Sequence, residues 1–240
     1  MKKVFAFLMF VGVIALAACG STGGGDDGSG CGGECSGGCS GSSKMDNSQS
    51  TIDMYVNGTQ KAMYWVTVHE NPEAGQYWET SSDMSGMKMT THWQVSKVDG
   101  NTAIIEQEQM MDSEYMVSDY VIAYKVDLSV EAGGVNVTAA WVGKPGEDGT
   151  AIEVMEMPEA TCGGCAPEVE STTEDFSDLA LADGTWAGKV TTTNMNGTES
   201  KVWMADNGWF GGMVKMQSGD YVTELTKYGT DAEPLLKGAE

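Results

Sequence analysis

From Gln60 onward, large side chains recur at every second position, and a chain patterned this way is built for β-strands. A period of two sends alternate residues to opposite faces of a pleated strand. Ala62, Tyr64, Val66 and Val68 share one face, and Met87, Met89, Trp93 and Val95 share another. Met116, Tyr120, Ile122, Tyr124 and Val126 form a third set, and Val135, Val137, Ala139 and Trp141 a fourth. Asp99-Gly100 and Asn196-Gly197 lie between such runs and suit type I′ turns, which need positive φ at both central positions. Gly133-Gly134 and Ser218-Gly219-Asp220 punctuate similarly. There is no long period of 3.6, and Asp175 to Ala182 admits one short helical turn. The pattern predicts a mainly β domain of roughly eight to eleven antiparallel strands in meander order, with few or no long helices. Trp65 opposes Tyr64 and Val66, and Trp203 opposes Val202 and Met204. Strands apolar on both faces imply a curved sheet, half-barrel or sandwich-like, with one face enclosing a core or a cavity.

The first fifty residues read as a separate leader and linker. Met1-Lys2-Lys3 is a positive n-region, and Val4 to Ala15 is an apolar run too short to span a bilayer comfortably. Leu16-Ala17-Ala18-Cys19 follows and resembles the bacterial lipobox. The resemblance implies cleavage before Cys19, diacylation of its thiol and acylation of the new amino terminus. Two or more acyl chains give stable anchoring where one does not. Gly20 stands where Asp retains lipoproteins in the inner membrane of enteric bacteria, which favours the outer membrane. Gly20 to Ser50 is Gly, Ser, Asp and Cys with almost nothing apolar to offset ordering. It reads as a flexible linker with an r.m.s. reach of roughly 30 Å. The organisation expected is a signal peptide at 1–18, a lipidated Cys and linker at 19–50, and one β domain at 51–240. A polar Cys-containing loop at 159–174 divides the domain.

Charge narrows the partners. The chain has 35 acidic residues against 13 basic, all of them Lys, and no Arg. Losing Lys2 and Lys3 with the signal moves the net charge from −22 to −24. Such a surface repels phosphate backbones, so no nucleic-acid partner is expected. Bidentate recognition of carboxylate or phosphate by Arg is also unavailable.

No HExxH, Gly-rich phosphate loop or G-x-S-x-G elbow occurs, and the expectation is a protein with no catalytic residues, no cofactor and no metal. Met84-Ser85-Gly86-Met87-Lys88-Met89, followed by His92-Trp93, raises copper(I), since soft thioethers select it. Strand parity sends Met87, Met89 and Trp93 one way and His92 the other, with Lys88 and Thr90. Gap-filling methionine is the simpler reading. Cys162-Gly163-Gly164-Cys165 lies in a Pro- and Glu-rich loop rather than at a helix start. A structural disulfide therefore fits better than a redox pair. A zinc site joining Cys162 and Cys165 to two of Cys31, Cys35 and Cys39 is the alternative.

The C-terminal run contains Gly184-Thr185-Trp186, the Asn196-Gly197 hairpin, Lys201-Val202-Trp203-Met204 and Gly211-Gly212-Met213-Val214-Lys215. It closes with Glu224-Leu225 and Tyr228-Gly229. This resembles the last strands of exported bacterial lipoproteins similar to the LolA/LolB half-barrel, over roughly a quarter of the chain. The helices that plug a LolA-like half-barrel have no counterpart in the periodicity. The resemblance implies an envelope lipoprotein whose half-barrel holds a hydrophobic ligand or an envelope protein. Trp93, Trp141 and Trp186 are candidates to line its cavity, sharing strand faces with Val95, Ala139 and Gly188. A metal-handling lipoprotein, or a purely structural one with a filled core, is the rival expectation.

Overall fold

The computed structural model describes residues 44–84, 86–131, 134–157, 171–195, 197–206 and 212–239. Cys19 with its lipobox, the linker cysteines, and Cys162 and Cys165 lie outside the described residues.

Among the described residues the domain is a curved antiparallel sheet with one helix. Met45–Asp46 (β1) precedes the helix Ser48–Val56 (α1), so ordered chain starts before the expected boundary at residue 51. The meander then runs through Tyr77–Met84 (β2), Met87–Asp99 (β3), Thr102–Asp112 (β4), Met116–Asp127 (β5), Val137–Gly143 (β6) and Thr150–Ile152 (β7). A second meander comprises Ser171–Leu181 (β8), Gly184–Met195 (β9), Thr198–Ala205 (β10), Met213–Ser218 (β11) and Tyr221–Gly229 (β12). The hydrogen-bonded order is β7-β6-β5-β4-β3-β2-β12-β11-β10-β9-β8, so β12 joins the meanders against β2 and completes one sheet. The two-residue β1 pairs in parallel, with Met45 beside Met116 on β5.

Curvature shows in one contact. Trp186 on β9 lies four strands from Trp78 on β2 along the sheet, yet their ring centroids are 5.4 Å apart. In a flat sheet four strand spacings would separate them by roughly 19 Å. The second meander therefore rolls back on itself, and Tyr228 closes on Trp186 at 5.0 Å.

Three cores result. Ile52 from α1 and Ala62 and Val66 from the following segment cover Val95, Ala103, Ile105, Ile122, Tyr124, Val126, Val137, Ala140 and Val142. Trp78, Trp186, Ala205, Val214 and Leu225 form the second core. On the opposite face of β4 and β5, Ile104, Val121 and Ala123 pack against Leu236 from the C-terminal segment, with Trp141 beside them. Strands β4 to β6 are thus buried on both sides.

Several local expectations change. Residues 60–70 form no named strand; Ala62 bridges Val154 singly, and the segment lies across the first core because Ala62 and Val66 need cover. Helix α1 has under three turns, too short for its period to register. The Asp46 carboxylate accepts from the Ser48 N–H at 2.9 Å, while Ser48 Oγ accepts from the Asp119 N–H at 2.8 Å, docking the helix on β5. Asp175 to Ala182 is strand and turn, not helix. A bulge between Phe176 and Leu179, with Asp178 at φ 61°, breaks the period of two there. The pairing of Lys125 with Ala139 and of Val126 with Val137 makes Thr138 an extra residue. That bulge puts Val137 in the first core and Trp141 in the third, splitting the fourth alternating set. At the Asp99-Gly100 turn, Asp99 pairs with Thr102, so Gly100-Asn101 is the loop. Only Gly100 has positive φ, at 58°, the pattern of type II′ rather than I′. Met195 pairs with Thr198 where β9 meets β10, and Gly197 there has φ 83°.

Candidate functional site

A chain of polar side chains crosses the face that carries the C-terminal segment. Cross-strand pairing aligns Glu79, His92 and Glu108 on β2, β3 and β4, and Lys227 pairs with Glu79 from β12. Glu79 accepts from Thr226 Oγ1 at 2.7 Å and Lys227 Nζ at 3.2 Å, and its Oε2 lies 3.9 Å from His92 Nδ1. The Gln94 amide donates both hydrogens, to Glu106 Oε2 at 2.6 Å and to the Glu233 carbonyl at 2.8 Å. Its Oε1 must therefore accept, which fixes a hydrogen on His92 Nε2, 3.0 Å away. Glu106, 1 % exposed, also accepts the backbone N–H groups of Leu235 at 2.8 Å and Leu236 at 2.9 Å. Tyr77 stacks on the imidazole at 5.3 Å.

The electrostatics follow. The His92 imidazole holds Glu79 down at about 2, against the burial that works the other way, with Thr226 and Lys227 assisting. Burial pulls His92 down, but the Glu79 carboxylate, the hydrogen bond to Gln94 and the field of Glu108 outweigh it and leave the pKa raised. Burial, then Asp119, raises Glu108. Glu79, His92, Gln94 and Glu106 are linked in succession, and the chain ends on the backbone of the C-terminal segment. It acts as a latch.

The other face of the same strands carries a different row. Directly paired residues share a face, and Val202, Met216, Thr223, Ser82, Met89, Met111 and Ser118 pair in succession from β10 to β5. Tyr120, Ile122 and Tyr124 continue this face along β5 into the first core. The methionines of the row are half-buried. Ser118 and Thr223 are buried, and neither hydroxyl has a partner. The row opens at the rim where Met84 is 44 % exposed, and Tyr115 and Met45 are 75 % and 68 % exposed nearby. The β3 alternation puts Met87 and Met89 on this face and His92 on the other, so these strand residues do not combine into a Met/His site.

The three tryptophans do not line one space. Trp93 packs at the first core, its ring 6.2 Å from Tyr124, and Trp141 at the third core on the opposite face. Trp186 is 2 % exposed in the second core, and its indole N–H donates to the Leu181 carbonyl at 3.0 Å. Two open depressions of about 340 and 320 Å³ are polar-lined, the first by Ser81, Asp83, Lys88, Asp220 and Glu224 among others, and neither touches a tryptophan. Among the described residues no group of three His, Cys, Asp or Glu is arranged to hold a metal ion. No helix among them is long and apolar enough to cross a membrane.

Sequence reasoning missed the Glu106 latch. Its signal was a carboxylate directly following Ile104-Ile105 in an apolar run, where a charge needs a dedicated partner. No protein-family model and no curated protein matches this chain.

Proposed function

We propose that the chain is an exported lipoprotein, held at the outer membrane by an acylated Cys19. Its β domain is a non-enzymatic binding module for a hydrophobic ligand or an apolar segment of an envelope protein. The observation that carries this reading is the row of half-buried methionines leading to unpaired hydroxyls on Ser118 and Thr223. Polarisable, adaptable side chains suit an apolar ligand, and a buried hydroxyl without a partner suits a ligand's polar end. The LolA/LolB-like closing strands point the same way. An apolar contact of roughly 300 Å² is worth about 7 kcal/mol before association costs, which suits a carrier that must release.

An environment-sensitive acyl-chain fluorophore tests the reading. It should bind the purified chain at micromolar concentration, and Met216→Lys should weaken binding at least tenfold while the far-ultraviolet circular dichroism stays unchanged. For the anchor, mass spectrometry of membrane-extracted protein should find an acylated Cys19 as the N-terminal residue; an unmodified soluble chain refutes it. Trp186 is buried and Trp93 and Trp141 are half-buried, each against a different core, which supports a second reading, a structural lipoprotein with a filled core. Failure of every acyl probe would select that reading.

A further inference from the structure

We propose that Met84, Met87, Met89 and Met111 form a thioether site for a soft monovalent cation, copper(I) in the cell. Met84 pairs directly with Met87, and Met89 with Met111. Met87 and Met89 stand two apart on β3, so all four share one face. Paired Cβ atoms sit about 5 Å apart across strands, and alternate residues about 7 Å apart along one. Strands β2 and β4 flank β3 on opposite sides, so Met87 and Met89 form one right triangle with Met84 and another with Met111, each with a centre about 4 Å from its three Cβ atoms. An unbranched methionine side chain spans that distance to within a metal–sulfur bond of roughly 2.3 Å. Met87 and Met89 can hold one ion with either Met84 or Met111 as the third ligand, and these two can replace one another during exchange.

The surroundings select the ion. The same-face neighbours Ser82 and Ser118 are neutral. The charged residues nearby, Asp83, Lys88 and Asp112, pair with one another across the opposite face. A site of neutral thioethers holds no attraction for hard divalent cations and favours soft, singly charged ones. Packing does not account for the methionines either: Met84 is 44 % exposed, and Met87, Met89 and Met111 are only half-buried. A core filler would be covered. The net charge of −22 draws cations towards the rim without fixing which one binds. Binding involves no change of oxidation state.

This inference does not rest on the apolar-ligand reading, since silver uptake is measured with no acyl ligand present. The probe is silver(I), titrated into the full chain in detergent with its thiols blocked by N-ethylmaleimide and followed by native mass spectrometry. One silver ion per chain is expected, with the Met89→Leu/Met111→Leu variant losing at least tenfold in affinity. Met84→Leu, at an exposed position, should lower silver affinity severalfold with no change in thermal stability. No silver uptake by the thiol-blocked chain, or uptake undiminished in both variants, overturns the proposal.

Discussion

Glu106 and Leu236 stand 130 positions apart, and the Leu236 N–H donates to the Glu106 carboxylate at 2.9 Å. The Leu235 N–H and the Gln94 amide complete the carboxylate's partners. Replacing Glu106 by Ala leaves three buried donors unmatched. The expected loss is about 3 kcal/mol or more of unfolding free energy in urea. Hydrogen exchange should show the Leu235 and Leu236 amides opening first. An unchanged unfolding midpoint would mean that the C-terminal segment is held by Leu236 packing alone.

The row around His92 makes stability depend on pH in two directions. Glu79 is depressed to about 2, so its contribution is complete above its unfolded value near about 4.3 and is lost as pH falls towards 2. His92 is raised, so its contribution is complete below its unfolded value near about 6.5 and is lost as pH climbs through the higher folded value. The raised Glu108 has the same sign as His92 but a lower window: its contribution is complete below about 4.3 and is lost as pH rises through its raised folded value. Urea unfolding from pH 3 to 9 should show maximal stability between about 4.5 and 6.5. His92→Ala should flatten the alkaline limb, and Glu79→Gln the acid one. A profile that rises steadily to pH 8 in the parent chain would contradict this assignment.

The sheet was legible because period two survives wherever no bulge intervenes. From Met87 to Val95 alternation holds on β3, and Met87, Met89 and Trp93 face together as the pattern implies. It failed at Thr138 and near Asp178, where one extra residue reverses parity without leaving a compositional mark. Helix α1 was illegible because its stability comes from docking on β5 rather than from an apolar stripe. The polar latch and the methionine row depend on which strands are neighbours across residues far apart in the chain. Single-strand periodicity identifies faces but does not say which strand lies alongside.

The β8–β9 turn offers a stabilising change. Leu181 pairs with Gly184, and the loop residues Ala182 and Asp183 have φ of 50° and 59°. Both central positions of this type I′ geometry favour Gly or Asn. Asp183→Gly relieves one left-handed residue at an exposed site and should stabilise the domain by about 0.5–1 kcal/mol. A lowered melting temperature would show that the Asp183 side chain holds the turn.

Trp186 closes the second core against Trp78 and Tyr228. Trp186→Ala should cost about 3–5 kcal/mol, with rapid exchange confined first to β8 and β9. Loss of acyl-probe binding without loss of stability would instead assign Trp186 to a ligand-lining role.

The binding face is tested most directly by labelling the ε-methyl groups of all 17 methionines with ¹³C and titrating in an acyl-chain ligand. Met89, Met111 and Met216 share the row, whereas Met155 and Met157 follow β7 and are exposed away from these pairings. Saturable shifts at Met89, Met111 and Met216, with Met155 and Met157 unmoved, are the predicted result. Shifts spread equally over all methionines, or none at ligand concentrations well above micromolar, would contradict a binding face on this row.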